Sequence, residues 1–400
     1  MRILIADRLS ESAVDLLIGG GHEVVSRPDA KGDSLLGALS EVQPTVLIVR
    51  STKVPAEAIE QSSNLELIVR AGAGYDNIDV DGASDRGVFV ANCPGKNAAA
   101  VAELTIGLML SIDRSIPDNV IDARGGKWNK AKYGKANGVK GRTLGVIGLG
   151  NIGQEVVRRA LSFDMEVVGW SRSLTDEKAE FLGIERAETP IEVAAKADVI
   201  TLHVAATPET ESLADADFFS AMKPGAFFIN TTRSSVVDEE AMLKAMEEKG
   251  IRVALDVFSN EPAHKDGDLS HPLAERKDVY LTHHIGASTE QAQEAIAEEA
   301  SRVILTYAAT NSVPNCVNIA EKTPATHQLT VRHLDKVGVL ASVLEEIRQA
   351  EWNVQEMENL VFAGAHAACA SIRFSGHVEQ EVLERIQANS DVLAVSLIDL

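Results

Sequence analysis

The feature that most constrains this chain is the run Leu144-Gly145-Val146-Ile147-Gly148-Leu149-Gly150-Asn151-Ile152-Gly153. It reads as an apolar strand that ends in Gly-x-Gly-x-x-Gly and opens a helix. Gly148 serves a tight turn, Gly150 leaves room for backbone to approach a pyrophosphate, and Gly153 lets the helix pack close on the strand. At the helix start, the free N–H groups of Asn151, Ile152 and Gly153 and the helix dipole favour phosphate oxygens. A second strand follows at βαβ spacing and ends Trp170-Ser171-Arg172-Ser173. A site for NAD usually carries Asp or Glu there to hold the ribose 2′-hydroxyl. Ser171 and Arg172 instead offer a hydroxyl and a positive charge, with no carboxylate to repel a 2′-phosphate. The pair favours NADP over NAD and leaves both open.

This unit sits within two longer alternations of strand and helix, which call for parallel sheets with helices on both faces. The first covers about ninety residues, with strands at 2–6, 23–25, 45–49, 67–69 and 88–91. A long helix over 97–124 follows it. The second begins at Arg142 and runs through strands at 143–147, 166–169, 199–202, 226–229, 253–255 and 279–281 to a helix over 290–309. The run 311–315, Asn-Ser-Val-Pro-Asn, reads as a linker. Beyond it the order is strand, helix, strand, strand, helix, strand, a βαββαβ ferredoxin-like pattern.

Composition limits the partners. The 400 residues hold 59 acidic and 38 basic side chains, a formal charge of −21. Such a field repels nucleic acid and anionic membrane on average, yet permits a local basic pocket. Cys93, Cys316 and Cys369 are few, odd in number and widely spaced, which argues for a reducing compartment and against a disulfide framework or a bound metal. The opening Met-Arg-Ile-Leu-Ile-Ala-Asp lacks the apolar stretch of a signal peptide, and no apolar run approaches the ~18 residues of a membrane span. The expectation is a cytoplasmic protein with neither a nucleic-acid nor a membrane partner.

Hydride transfer at a carbon bearing oxygen needs an acid or base for the proton and a fixed cation for a carboxylate or carbonyl. Three stretches just past apolar strands supply them: Asn230-Thr231-Thr232-Arg233, Asp256-Val257-Phe258-Ser259-Asn260-Glu261-Pro262, and His283-His284-Ile285-Gly286-Ala287-Ser288-Thr289. Ligands of open α/β sheets bind at such strand ends. In this order, with the glycine motif, the runs resemble those of the D-2-hydroxyacid dehydrogenase family, and within it the phosphoglycerate dehydrogenases that carry one C-terminal ACT domain. The resemblance covers essentially the whole chain. It implies a flavodoxin-like substrate domain from residues 1–96 and 289–312, a Rossmann domain over 97–288, and an ACT-like regulatory domain over 325–400.

Carried over motif by motif, the resemblance makes Arg233 the carboxylate anchor, His284 the acid/base and Glu261 its orienting partner. It sets Val204, Thr231, Asp256 and Gly286 along the cofactor, with Asp256 at the nicotinamide amide. Relatives usually have Pro where this chain has His283. Neighbours on an extended strand face opposite sides, so one histidine alone can face the substrate, and the register favours His284. His203 reads as a core or rim residue.

Two further strand ends carry donors. Arg50-Ser51-Thr52-Lys53 is expected to meet a phosphate through Arg50, Ser51 and Lys53. Arg70-Ala71-Gly72-Ala73-Gly74 is expected to meet a carboxylate through Arg70 and the amides of Gly72, Ala73 and Gly74. The implied reaction is oxidation of 3-phospho-D-glycerate to 3-phosphooxypyruvate with NAD or NADP, the first step of serine biosynthesis, in a homodimer or homotetramer. In the tail, His333, Asp335 and Asn353 match positions at which relatives hold L-serine as an effector across a dimer interface. The competing readings are an NADP-dependent glyoxylate/hydroxypyruvate reductase and, more remotely, a dinucleotide-sensing corepressor-like binding protein.

Overall fold

Short aliphatic runs with no polar alternation are what a parallel sheet covered on both faces requires. In the computed structural model, which describes residues 1–262, 267–320 and 322–400, they form the strands of two such sheets. The chain divides into two units, Met1–Asn318 and Ile319–Leu400.

The first unit has two lobes. One sheet joins β1 (Arg2–Ile5), β2 (Glu23–Ser26), β3 (Val46–Val49), β4 (Leu67–Arg70) and β5 (Phe89–Ala91) in the order β2-β1-β3-β4-β5. This is the flavodoxin-like winding. The other joins β6 (Thr143–Ile147), β7 (Glu166–Trp170), β8 (Glu185–Arg186), β9 (Val199–Leu202), β10 (Phe227–Asn230), β11 (Arg252–Leu255) and β12 (Val279–Leu281). Its order is β12-β11-β10-β9-β6-β7-β8, so the winding reverses between β6 and β9, where the glycine motif lies.

The lobes exchange helices. Ala98–Arg114 follows the first sheet in sequence but buries Ala102, Ile106 and Met109 against Val146 and Ile229 of the second. Glu290–Thr310 follows the second sheet and returns, burying Ile296, Ala300 and Ile304 with Ile3, Ile48 and Val69 of the first.

Three expectations need correction. The single helix over 97–124 is two, Ala98–Arg114 and Ile116–Arg124, broken at Ser115 with φ 48°. Pro117 is the cause: it has no N–H to donate, and its ring would clash with the Asp113 carbonyl in a continuous helix. The helices Val80–Asp85 and Asp176–Leu182 were not anticipated, being too short for a 3.6-residue period to show. The supposed linker is also shorter. Val317 N–H donates to the Val90 carbonyl at 2.8 Å, and Asn318 bonds the backbone of Val88 and Val90, so this segment lines β5. The second unit begins at Ile319.

The second unit is the βαββαβ arrangement. It joins β13 (His327–Leu334), β14 (Asn353–Val361), β15 (Ala367–Ser375) and β16 (Val392–Asp399) in the antiparallel order β14-β15-β13-β16. Helices Val339–Gln349 and Gln380–Ala388 cover one face over Leu329, Val331, Ile372 and Phe374. Among the described residues, no helix is long and apolar enough to cross a membrane.

Candidate active site

At the end of β6 the three glycines are separated by what a side chain would meet. A Cβ on Gly148 would collide with the His203 carbonyl, and φ there is 96°. A Cβ on Gly153 would collide with the Gly148 carbonyl. Gly150 faces open space. It is also the N-cap of helix Asn151–Ser162 and brings no side chain to the first-turn amides, so the amides of Asn151, Ile152 and Gly153 remain for a ligand. The cradle thus fits a dinucleotide pyrophosphate. Ser171 and Arg172 follow β7 at its rim, with Arg172 exposed. Val204 borders the Gly148 turn, and buried Thr231 faces Thr105 with hydroxyls 3.4 Å apart.

His203 lies behind the cradle. Burial pushes its imidazole down to about 3, and Nε2 pairs with the Thr201 hydroxyl at 3.0 Å. It is neutral at ordinary pH and enclosed, a core residue.

Across the sheet, three strand ends converge. His284 Nδ1 lies 2.9 Å from Glu261 Oε2. A carboxylate only accepts, so Nδ1 carries the hydrogen and Nε2 faces away from Glu261. The other Glu261 oxygen accepts the Phe258 N–H at 3.1 Å, which fixes the carboxylate. Ser259 is held in turn, its N–H and hydroxyl both donating to Glu239 at 2.5 and 2.6 Å.

The histidine pair is not on an extended strand as expected. β12 ends at Leu281, and His284 stands in the left-handed region at φ 52°. The loop geometry nevertheless separates the two. His284 engages Glu261, while His283 is exposed with no hydrogen bond among the described residues.

Asp256 shapes that loop. Its carboxylate accepts the Thr282 hydroxyl at 2.6 Å, Ile285 N–H at 2.9 Å and Gly286 N–H at 2.8 Å, and its carbonyl accepts His284 N–H at 3.0 Å. Three of its acceptor positions are therefore committed to the loop, a role sequence reasoning missed.

Arg233 reaches from the second lobe to the first. Its Nε and Nη2 donate to the two oxygens of Asp76 at 3.1 and 2.9 Å, and Nη1 donates to the Thr232 carbonyl at 2.7 Å. The turn before it is tied by Asn230, which accepts from Thr232 N–H and hydroxyl and donates to the Arg233 carbonyl.

Beside Arg233 stands Arg70. Its guanidinium fills the space over Gly72 that a Cβ would need. Burial, with the neighbouring Arg233, pushes it down to about 10, still cationic at neutral pH. Among the described residues the amides of Ala73 and Gly74 have no protein acceptor, whereas Gly72 N–H is spent on the Arg70 carbonyl. The anion-facing amides are thus two, not three.

The Arg50–Lys53 loop departs from expectation. The backbone N–H groups of Arg50, Ser51 and Thr52 and the Ser51 hydroxyl all point at Asp7, at 2.7 to 3.0 Å. An internal carboxylate occupies this nest. Ser51 is therefore not free for a phosphate. What remains for a ligand is the Arg50 side chain, held by Gln293 at 3.0 Å, and exposed Lys53. Asp7, Asp76 and Asn230 had one legible signal each: a polar residue ending, or just beyond, a buried parallel strand.

In the second unit the predicted trio does not assemble within one copy. His333 is buried, with Nδ1 2.8 Å from the Leu334 carbonyl and Nε2 3.1 Å from Asn359 Oδ1. It pairs with Ala368 on β15, whereas Asn353 pairs with Ser375 at the other end. That separation is roughly 20 Å along the strand. Asp335 is exposed beside His366.

Comparison with known proteins places the chain among nicotinamide-dependent dehydrogenases. Residues 106–286 match the model of the D-isomer specific 2-hydroxyacid dehydrogenase NAD-binding domain. The chain is 40% identical to D-3-phosphoglycerate dehydrogenase of Methanocaldococcus jannaschii over 328 residues, covering 80% of this chain and 61% of that one. It is 38% identical to hydroxypyruvate reductase of Thermotoga maritima, covering 74% of this chain and 95% of that one. NAD⁺-bound 3-phosphoglycerate dehydrogenase of Entamoeba histolytica superposes with a TM-score of 0.66 at 28% identity, over 80% of this chain and 99% of that one. The chain spans 60 to 66% of the length of several phosphoglycerate dehydrogenases it matches. With the cradle, the histidine–glutamate pair and the bridging arginine in place, this chain belongs to the D-isomer specific 2-hydroxyacid dehydrogenase family.

Proposed function

We propose that the chain interconverts 3-phospho-D-glycerate and 3-phosphooxypyruvate with a nicotinamide cofactor, at the entry to serine biosynthesis. The observation that carries this is the cation count around one loop. Arg233, Arg70 and Arg50 gather by the Gly72–Gly74 loop, where Asp76 faces Arg233 and Arg70, and Lys53 is exposed on the neighbouring loop. A 2-oxo acid alone needs one such anchor, whereas a phosphorylated one brings two anionic groups at opposite ends. In this reading Arg233, Arg70 and the amides of Ala73 and Gly74 hold the carboxylate. Arg50 and Lys53 hold the phosphate.

The bound cofactor would supply or accept the hydride at its nicotinamide ring. The chain's own part is the proton. His284 Nε2 takes it from the substrate hydroxyl in oxidation and returns it in reduction, while Glu261 on Nδ1 orients the ring. Arg233 polarises the carbonyl oxygen. Gly148, Gly150 and Gly153 seat the pyrophosphate, and Ser171 and Arg172 favour a 2′-phosphate, so NADP is the preferred form. The second unit would be an ACT-like module with L-serine as effector. As His333 and Asn353 are far apart in one copy, that site would need a pair of copies.

A specific observation also favours a second reading, an NADP-dependent hydroxypyruvate or glyoxylate reductase: the missing carboxylate after β7 together with 38% identity to a hydroxypyruvate reductase over 95% of its length. Absorbance of reduced nicotinamide decides. Phosphoglycerate with NAD or NADP should turn over, and Arg50→Ala should abolish that turnover while sparing glyoxylate. Turnover of glyoxylate or hydroxypyruvate alone would sink the phosphoglycerate assignment and leave the second reading.

A further inference from the structure

An arginine side chain has five N–H hydrogens in a fixed plane, and in Arg233 three are spent. Nε and one Nη2 hydrogen go to Asp76 as a two-pronged pair at 3.1 and 2.9 Å. One Nη1 hydrogen goes to the Thr232 carbonyl at 2.7 Å. Two remain, one on Nη1 and one on Nη2, and the Nη1/Nη2 edge of a guanidinium is the fork that a carboxylate or a carboxylate–carbonyl pair fits.

We propose that Asp76 is a positioning residue, which turns Arg233 so that its one free fork faces the substrate's carboxylate. Asp76 belongs to the loop after β4 in the first lobe, and Arg233 to the turn after β10 in the second. The pair fixes the anchor by both ends, the Thr232 carbonyl behind and Asp76 at the side. Gly74 makes the approach possible, because a Cβ there would collide with Arg233 Nη2. Asp76 also offsets the repulsion between Arg233 and the half-buried Arg70 beside it, both of which act on its carboxyl. Without that carboxylate the two guanidinium groups would push apart, and the flexible Arg233 side chain would be the one to move.

The inference rests on Arg233 as the carboxylate anchor and not on a phosphorylated substrate. Its test therefore uses binding of oxalate, a stand-in for a 2-oxo acid, to the full chain saturated with NADPH, followed by calorimetry. Asp76→Ala should weaken oxalate by about tenfold or more, the loss of an aimed charge-assisted fork. NADPH affinity and the melting temperature should stay at wild-type values, which a merely structural role would not predict. Asp76→Glu, which restores a carboxylate, should recover part of the affinity. If Asp76→Ala fails to fold, the isosteric Asp76→Asn reads the same sign. Unchanged or tighter oxalate binding would overturn the proposal, the latter marking Asp76 as a plug that competes with substrate. Failure of wild-type phosphoglycerate turnover sinks the proposed substrate alone, since the oxalate comparison needs no turnover.

Discussion

A histidine in the left-handed region is strained by about 1–3 kcal/mol, and such strain persists only where its surroundings impose it. At His284 the surroundings are Asp256. One buried carboxylate gathers the Thr282 hydroxyl and the N–H groups of Ile285 and Gly286, and so bends the chain around His284. Asp256→Ala should therefore act through His284. It leaves two N–H groups without their acceptor and lets the loop relax to negative φ. We expect kcat to fall by about a hundredfold, in line with a misplaced acid/base. Cofactor affinity should fall far less. If cofactor binding collapses while residual kcat at saturation is normal, Asp256 serves the cofactor and not the loop. Glu261, Arg233 and His284 were legible because each stands in a run of distinctive residue types just past a strand. Asp256 was legible as a site residue but not in this role, because a loop's φ values depend on contacts that sequence order does not display.

At the scale of elements, the two parallel sheets and their strand ends were readable from aliphatic runs, and the glycine motif fixed where the winding reverses. Features set by one residue against a distant one were not. Pro117 breaks a helix whose apolar pattern runs on past it, and the run 311–315 reads as a linker because the partners that tie its end and the residues after it, Asn92, Val90 and Val88, lie over 220 residues earlier. The helix Glu290–Thr310 shows how such ties work. Its buried Glu299 accepts from Arg302 at 2.6 Å and Asn315 at 2.7 Å and faces Lys96 at 3.3 Å, joining the crossing segments at both ends of the second lobe. The Arg302 bond foremost, then Asn315 and Lys96, hold its carboxyl down at about 2. A depressed folded-state pKa stabilises the fold above the unfolded value near 4.5, and that contribution is lost as pH falls towards 2. Its size is at most about 3 kcal/mol. Glu299→Gln should lower the urea midpoint at pH 7 and flatten the loss of stability between pH 4.5 and 2 relative to wild type. Parallel pH curves for the two proteins would show that the tie contributes nothing through its charge.

On the scale of the whole molecule, charge is distributed against the average. The chain carries −21, yet Arg50, Arg70 and Arg233 gather at one loop, with Asp76 facing the last two. A basic pocket in an acidic body attracts an anion only at short range, because beyond a Debye length of about 8–10 Å the two fields are separately screened. Near the mouth, attraction scales with the ligand's charge, and salt weakens it accordingly. The expected result is a kcat/KM for phosphoglycerate that falls with added salt, and falls about threefold or more beyond the change seen for singly charged glyoxylate between low and physiological ionic strength. Stopped rates at matched cofactor saturation, with sodium chloride as the only variable, would show it. Equal slopes would mean that the extra cations do not meet the extra charge, and the phosphate end of the site would have to lie elsewhere. A rate that rises with salt would mean that the acidic body, not the pocket, governs approach.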